Sequence, residues 1–262
     1  MRTILAVSLL ALIALTGCKN DNNNSNSSSA TSNSNSNTPR AYEPHPPIKP
    51  TTVPAADFKS CNVYMPLVPG SEAKYTITFS SGLVTDATVV VDSGEENGQK
   101  IFIEKTQIRD RTGGLQKMET EEKRYACDGE RVRLLSYKTS NDIEAIQHRS
   151  QWNMRNEALA IIDPASFEQK GSTWSYSFVL TLQKGDEQPV TPEEPFYVFF
   201  ETIGPQEIAV PAGTFKTIMV KRKVGKNEIF EYYARGIGLV KRQAAEGTSW
   251  VLKEYGGLRP VD

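Results

Sequence analysis

Three cysteines carry the most constrained chemistry in this chain. Cys18 closes the stretch Leu15-Thr16-Gly17-Cys18, directly after the apolar run Ile4 to Leu15. A positive start at Arg2, a short apolar core and small residues at the junction make a secretory signal, with cleavage expected between Gly17 and Cys18. The run is too short to cross a bilayer, which takes about 20 apolar residues. Export implies an oxidising compartment, so the remaining thiols, Cys61 and Cys127, are expected to pair as a disulfide. The alternative is two free buried cysteines. Closing that loop stabilises a fold by about 4 kcal/mol through the entropy of the unfolded chain.

Other reactive side chains are sparse. There are two histidines, His45 and His148, and no Cys-x-x-Cys, so no metal site is expected. His148 has Asp142 and Glu144 near it in sequence, the makings of a general base, but a lone histidine in a polar stretch is usually just solvated. Glu119, Glu121 and Glu122 form an acidic run whose alternating positions fit an exposed strand face. Gly-x-Ser-x-Gly, His-Glu-x-x-His and P-loop patterns do not occur. Gly236-x-Gly238 lacks the third glycine of a dinucleotide loop. No catalytic residues and no cofactor are assigned, and a non-enzymatic protein is expected.

The junction at Cys18 resembles the bacterial lipobox. The resemblance implies that Cys18 becomes residue one of the mature chain and carries a diacylglycerol plus an N-acyl chain of the palmitate class. That is more than the two signals stable anchoring requires. Lys19 rather than Asp follows the cysteine, and by resemblance to the enterobacterial sorting rule this favours the outer membrane, on its periplasmic face or at the cell surface. The membrane is thus the expected partner through the lipid on Cys18.

Behind the cysteine lies a tether. Residues 18–58 are first Asn/Ser-rich and then Pro-rich, with Pro39, Pro44, Pro46, Pro47, Pro50 and Pro54. The first part cannot bury apolar area, and the second favours stiff polyproline II. Fully extended, such a length reaches on the order of 130 Å; relaxed, it spans roughly 35 Å. The full chain has a formal charge of -1 from 30 basic and 31 acidic residues. Removing Arg2 with residues 1–17 leaves 29 against 31, or -2. Such a balance argues against nucleic acid as a partner. Lys221-Arg222-Lys223 and Lys241-Arg242 are expected to be solvated strand faces.

These residues must be positioned by the segment 59–262, where the dominant period is two. Tyr75, Ile77 and Phe79 alternate with Thr76 and Thr78, and Trp174, Tyr176 and Phe178 alternate with serines. Turn signals divide the strands: Gly94 to Gly98, Gly113-Gly114, Asp128-Gly129, Gly225 to Asn227 and Glu246-Gly247. Many short strands at this spacing predict an all-β, mostly antiparallel fold, a sandwich or half-open barrel with little helix. Asp128-Gly129 predicts a tight hairpin. A short helix is expected around Asn156 to Ala160, ended near Asp163-Pro164.

A faint repeat runs through the domain. Gly70-Ser71-x-x-x-Tyr75-x-Ile77 recurs as Gly171-Ser172-x-x-x-Tyr176-x-Phe178, and Tyr125-Ala126-x-x-Gly129 echoes Tyr233-Ala234-x-Gly236. Two β-meanders, 59–165 and 166–262, or chance likeness, both account for it.

Three further segments resemble motifs of a poorly characterised family of bacterial envelope lipoproteins. They are Tyr64-Met65-Pro66-Leu67-x-Pro69-Gly70, Val210-Pro211-Ala212-Gly213-Thr214-Phe215 and Tyr233-Ala234-Arg235-Gly236-Ile237-Gly238-Leu239-Val240-Lys241. Ala73 and Ile237 stand where that family has Trp and Val. The resemblance implies a secreted or lipid-anchored β-domain and lends no catalytic residues. Related β-folds hold acyl chains in a half-open barrel. Aromatics concentrate in the second half at Trp174, Tyr176, Phe178, Phe196, Tyr197, Phe199, Phe200, Tyr232 and Tyr233. Most should fill a core, but Phe196 to Phe200 places rings on both strand faces, so some should meet a second layer or a partner. The expected role is an interaction or structural module of the cell envelope, with an envelope protein as partner. The alternatives are a carrier of lipid or another hydrophobic ligand, and an envelope hydrolase.

Overall fold

The computed structural model of the chain describes residues 54, 58–109, 119–140, 149–154 and 158–262 in full, and residues 110, 117, 118, 141–143, 146–148 and 155 by backbone alone. Gly17, Cys18, nearly all of the tether and the Gly113-Gly114 turn lie outside the described residues. The strands are β1 (Glu72–Thr78), β2 (Val84–Glu96), β3 (Gln99–Asp110), β4 (Lys117–Asp128), β5 (Arg131–Ile143), β6 (Ile146–Arg155), β7 (Leu159–Ile161), β8 (Thr173–Lys184), β9 (Phe196–Val210), β10 (Gly213–Val224), β11 (Asn227–Ala234), β12 (Gly238–Ala244) and β13 (Ser249–Gly256). One helix, α1 (Pro164–Glu168), lies between β7 and β8.

The fold is all-β and every strand pair is antiparallel. Twelve strands run in ring order β1-β2-β3-β4-β5-β6-β8-β9-β10-β11-β12-β13, and β13 pairs back onto β1. The short β7 hangs on β5 beside β6. The barrel is therefore closed, and closure leaves the ring no free strand edge to recruit another chain. Chain direction puts the β1–β2, β10–β11 and β12–β13 turns at one end, called here the mouth. The opposite end is the floor.

Two-residue turns set the registers. Asn97 and Gly98 both have positive φ, 50° and 74°, joining Glu96 to its partner Gln99. Such geometry follows the right-handed twist of the flanking strands. Gly129 and Glu130 link Asp128 to Arg131 in the tight hairpin the sequence predicts.

The floor is built from three chain segments. Cys61 is bonded to Cys127 at the end of β4. The buried Asn62 side chain donates to the carbonyls of Glu130 and Ile162 at 2.7 and 3.0 Å and accepts from the amides of Tyr64 and Met65. Tyr64 packs its ring on Phe167 of α1, with centroids 4.7 Å apart, and donates to Glu168 at 2.7 Å. The C-terminal tail closes the remainder, with the Val261 amide donating to the Arg235 carbonyl at 3.2 Å.

The helix is not where the sequence places it. Leu159–Ile161 is strand, and the helix begins at Pro164. Asp163 caps it by accepting from the Ser166 amide at 3.0 Å. Proline suits the first helical position, where its missing N–H costs nothing. Pro164 therefore starts the helix it was expected to stop.

The repeat has a structural counterpart. The Gly70 amide donates to Val91 O and the Val91 amide to Ser71 O; likewise, the Gly171 amide donates to Thr202 O and the Thr202 amide to Ser172 O. Both glycines are left-handed, at φ 82° and 84°. Further on, pairing slips by one residue just before Tyr125 on β4 and just before Tyr233 on β11. Each half thus contributes six consecutive strands to the ring, β1–β6 and β8–β13.

Candidate functional site

The lumen has an apolar half and a charged half. Tyr75, Ile77, Ala87, Ile108, Phe215, Ala234, Ile237, Val240 and Leu252 form one buried cluster. Other inward positions of β3, β4, β10, β11 and β12 carry charges: on β10 to β12 these lie mouthward of Phe215, Ala234 and Val240, while Glu104 on β3 lies floorward of Ile108.

On one wall Lys123 of β4 lies 3.0 Å from Glu104 of β3 and 3.3 Å from Glu121. Its ammonium sits 5.1 Å from the centre of the Tyr137 ring on β5. On the other wall Glu231 of β11 lies 2.8 Å from Arg242 of β12 and 3.4 Å from Arg222 of β10. The Tyr233 hydroxyl donates to the second oxygen of Glu231 at 2.9 Å. One triad is Glu-Lys-Glu with net charge -1, and the other is Arg-Glu-Arg with net charge +1.

Burial alone would raise the Glu231 carboxyl, but Arg222, Arg242 and the Tyr233 hydroxyl hold it below the usual carboxylate range. Glu121 is held low in the same way by Lys123, the Tyr137 hydroxyl and Arg242. Lys123 is kept charged against burial by Glu104 and Glu121. Arg242 acts on Glu121 and Lys123 as well as Glu231, so the two triads sense one another across the lumen.

The charged half is wet. Lys123 and Glu104 side chains are each 19% exposed, and Arg222 and Arg242 each 21%, whereas Glu231 is 1% exposed. Inward-facing groups inside a closed ring reach water only through a recess. Glu119, two residues before Glu121 on β4, has no hydrogen-bond or ion-pair partner among the described residues. Burial, and then the Glu121 charge, push its carboxyl up to about 7. Nε of Arg222 and Nε1 of Trp174 are likewise buried without a hydrogen-bond partner among the described residues.

The basic clusters divide between the faces. Lys221 and Lys223 point outward, while Arg222 between them points in; Lys241 points out and Arg242 in. A solvated face is thus correct for the lysines only, because a period of two turns alternate residues to opposite sides. The acidic run behaves alike, with Glu119 and Glu121 facing in and Glu122 out, where it meets Arg124 at 3.0 Å. Sequence reasoning passed over this site because its arginines and carboxylates sit next to exposed charges of the same kinds.

The aromatics also divide. Trp174 stacks on Phe200 at 4.9 Å, and Phe178 stacks on Trp152 at 4.5 Å inside the barrel. Tyr197 and Phe199 stand on the outside of β9, 54% and 52% exposed, with ring planes 18° apart. His148 and Asp142 are described by backbone alone, paired with Asn141 and Met118 on neighbouring strands, and Glu144 lies outside the described residues. No group of three His, Cys, Asp or Glu that could hold a metal occurs among the described residues.

Neither any protein-family description nor any curated protein matches the chain. Two solved structures do. One is a Bacteroides fragilis protein, described as an inferred exported protein with a YmcC-like fold. It is 15% identical with TM-score 0.47, and the match covers 75% of this chain and 100% of that one. The other is an inferred lipoprotein of Parabacteroides distasonis, 12% identical with TM-score 0.45, over 76% of this chain and 100% of that one.

Proposed function

We propose that this chain is exported, acylated at Cys18 and held at the outer membrane, where its barrel serves as a non-enzymatic interaction module of the cell envelope. The signal-type start and the Asn/Ser- then Pro-rich tether support the anchoring. The observation that carries the role is the shape of the barrel: one end is sealed by a disulfide-pinned segment, a helix and the tail, and the other half holds water-reachable charges. A cup on a tether is suited to holding something for the envelope.

That something is polar. An acyl chain would have to lie against Lys123, Glu104, Arg222 and Arg242, and stripping water from charges without replacing their partners costs several kcal/mol. Carriage of hydrophobic cargo is therefore the weaker reading.

In-cell crosslinking followed by affinity purification tests the role, with protease shaving of intact cells to find the side faced. A reproducible envelope partner, lost with Cys18→Ser, is expected. A chain that crosslinks to nothing specific, or fractionates identically with and without Cys18, would sink the proposal.

A further inference from the structure

The charged recess is a built feature that neither the anchor nor the floor explains. Burying so many charges stabilises a fold poorly, since apolar residues of similar volume do as well or better. Charge retained at such a cost calls for a use.

From the opposed triads and their unused hydrogen-bonding groups, we infer that the charged part of the lumen binds a compact zwitterion, an amino acid or short peptide. It would lie with its ammonium toward Glu104, Glu119 and Glu121 and its carboxylate toward Arg222 and Arg242. The inference rests on the reading of the barrel as an envelope binding module and names the ligand class.

Four observations carry it. First, the wall of β3 and β4 has net charge -1 in its triad and that of β10 to β12 has +1. A field running from one wall to the other favours a molecule with one charge of each sign. A plain anion meets the carboxylates of Glu104 and Glu121, and a plain cation meets two guanidinium groups. Second, the groups without a partner among the described residues match the two ends: Glu119 on one wall and Nε of Arg222 on the other. Third, the side chains of Lys123 and Glu104 are 19% exposed and those of Arg222 and Arg242 21%, so water reaches these charges. Fourth, aromatic rings stand beside the charges: Lys123 lies 5.1 Å from the centre of the Tyr137 ring and Arg242 5.3 Å from that of Trp250. Mouths of β-barrels lined by aromatics and a few convergent polar groups are frequent ligand sites.

Glu119 gives the inference a proton signature. Among the described side chains its neighbours are Glu121 on its own strand, Ile108 opposite on β3, and Tyr137 on β5, and its backbone partner on β5 is Asn141. No cation is among these, and burial raises its carboxyl to about 7, so at pH 6 it holds its proton. An arriving ammonium favours the carboxylate and drives that proton into the buffer.

The test uses the full mature chain, residues 18–262, and isothermal titration with Ala-Ala, N-acetyl-Ala-Ala and Ala-Ala amide. The zwitterionic dipeptide should bind, and each capped form should bind at least tenfold more weakly. At pH 6, heats measured in buffers of different ionisation enthalpy should show proton release for the parent chain and none for Glu119→Gln. Arg222→Lys, which keeps the charge, should fold and lose at least threefold in affinity. The inference is overturned if all three dipeptides bind alike, or if none binds at up to about 10 mM, where even a millimolar Kd would give near-saturation. A neutral sugar binding the parent and Glu119→Gln equally would overturn it too. Loss of this binding would leave the crosslinked partner untouched, so the two proposals fail separately.

Discussion

Lys123 and Glu231 occupy equivalent places on opposite walls of the barrel. Each lies two residues before a Tyr-Ala pair, Tyr125-Ala126 and Tyr233-Ala234, with a slip in strand pairing just before the tyrosine. Their strands, β4 and β11, have five ring strands between them in either direction. Each is the centre of a triad, and the two centres differ in sign. The two halves of the chain thus meet as electrical complements.

That arrangement makes the centre of a triad more sensitive than its ends. Glu231→Leu leaves Arg222 and Arg242 facing one another without a counter-charge, and breaking a buried pair in this manner costs about 3–5 kcal/mol. Denaturant titration should show that loss, while Lys221→Ala on the outer face should change stability by less than about 1 kcal/mol. Equal effects of the two would remove the buried network as a structural element.

Glu119 sets a pH dependence of opposite sign to that of its neighbours. Its carboxyl is at about 7 in the fold against an ordinary 4.5, so the fold holds a proton that the unfolded chain releases. The stabilisation is complete below about pH 4.5 and fades as pH rises through 7, by at most about 3 kcal/mol. Glu119→Gln should therefore be more stable than the parent at pH 8 and equal to it at pH 4, read from melting curves. Glu121 and Glu231 are held low, so their contribution is lost as pH falls through their depressed folded values. A parent chain whose stability is flat from pH 5 to 8 would contradict the placement of Glu119.

Gly236 is the least replaceable glycine of the turns. A Cβ there would stand 2.0 Å from the Arg259 carbonyl oxygen, and its φ is +75°. Gly225 has φ +60° with nothing within 4 Å. Gly225→Ala should cost about 1–2 kcal/mol for backbone conformation alone. Gly236→Ala should cost at least about 3 kcal/mol, because the tail must also leave. Limited chymotrypsin digestion should then cut the variant near Leu258 well before the parent.

Reducing Cys61–Cys127 should lower stability by about 4 kcal/mol, the loop-closure figure for a separation of 66 residues. Double replacement by serine should match it in thermal unfolding. A change under about 1 kcal/mol would mean that Asn62 and Tyr64 hold the floor without the bond.

The strands were readable because alternation of Tyr75 and Ile77 with threonines survives in any half-buried strand. Closure was not, since pairing of β13 with β1 joins residues far apart in sequence and leaves no local mark. Two of the three quoted motifs, the first and the last, meet at one joint. Pro66 of the first lies 3.1 Å from where a Cβ of Gly238 would be, and Val63 O accepts from the Gly236 amide at 2.6 Å. The charged recess escaped notice for a different reason. A strand period assigns faces but not their sign, and Arg222 between two lysines has the same signature whether it faces water or the lumen.

The disulfide also decides how this molecule bears load. A pull on the residues before Cys61 enters the barrel at the foot of β4 through a covalent bond. It bypasses the hydrogen bonds of Asn62 and Tyr64, which would otherwise peel away one after another. The strained element is then β4, flanked along its length by β3 and β5, and its hydrogen bonds must shear together rather than unzip. Under tension the barrel should hold as a unit when oxidised and shed its floor first when reduced.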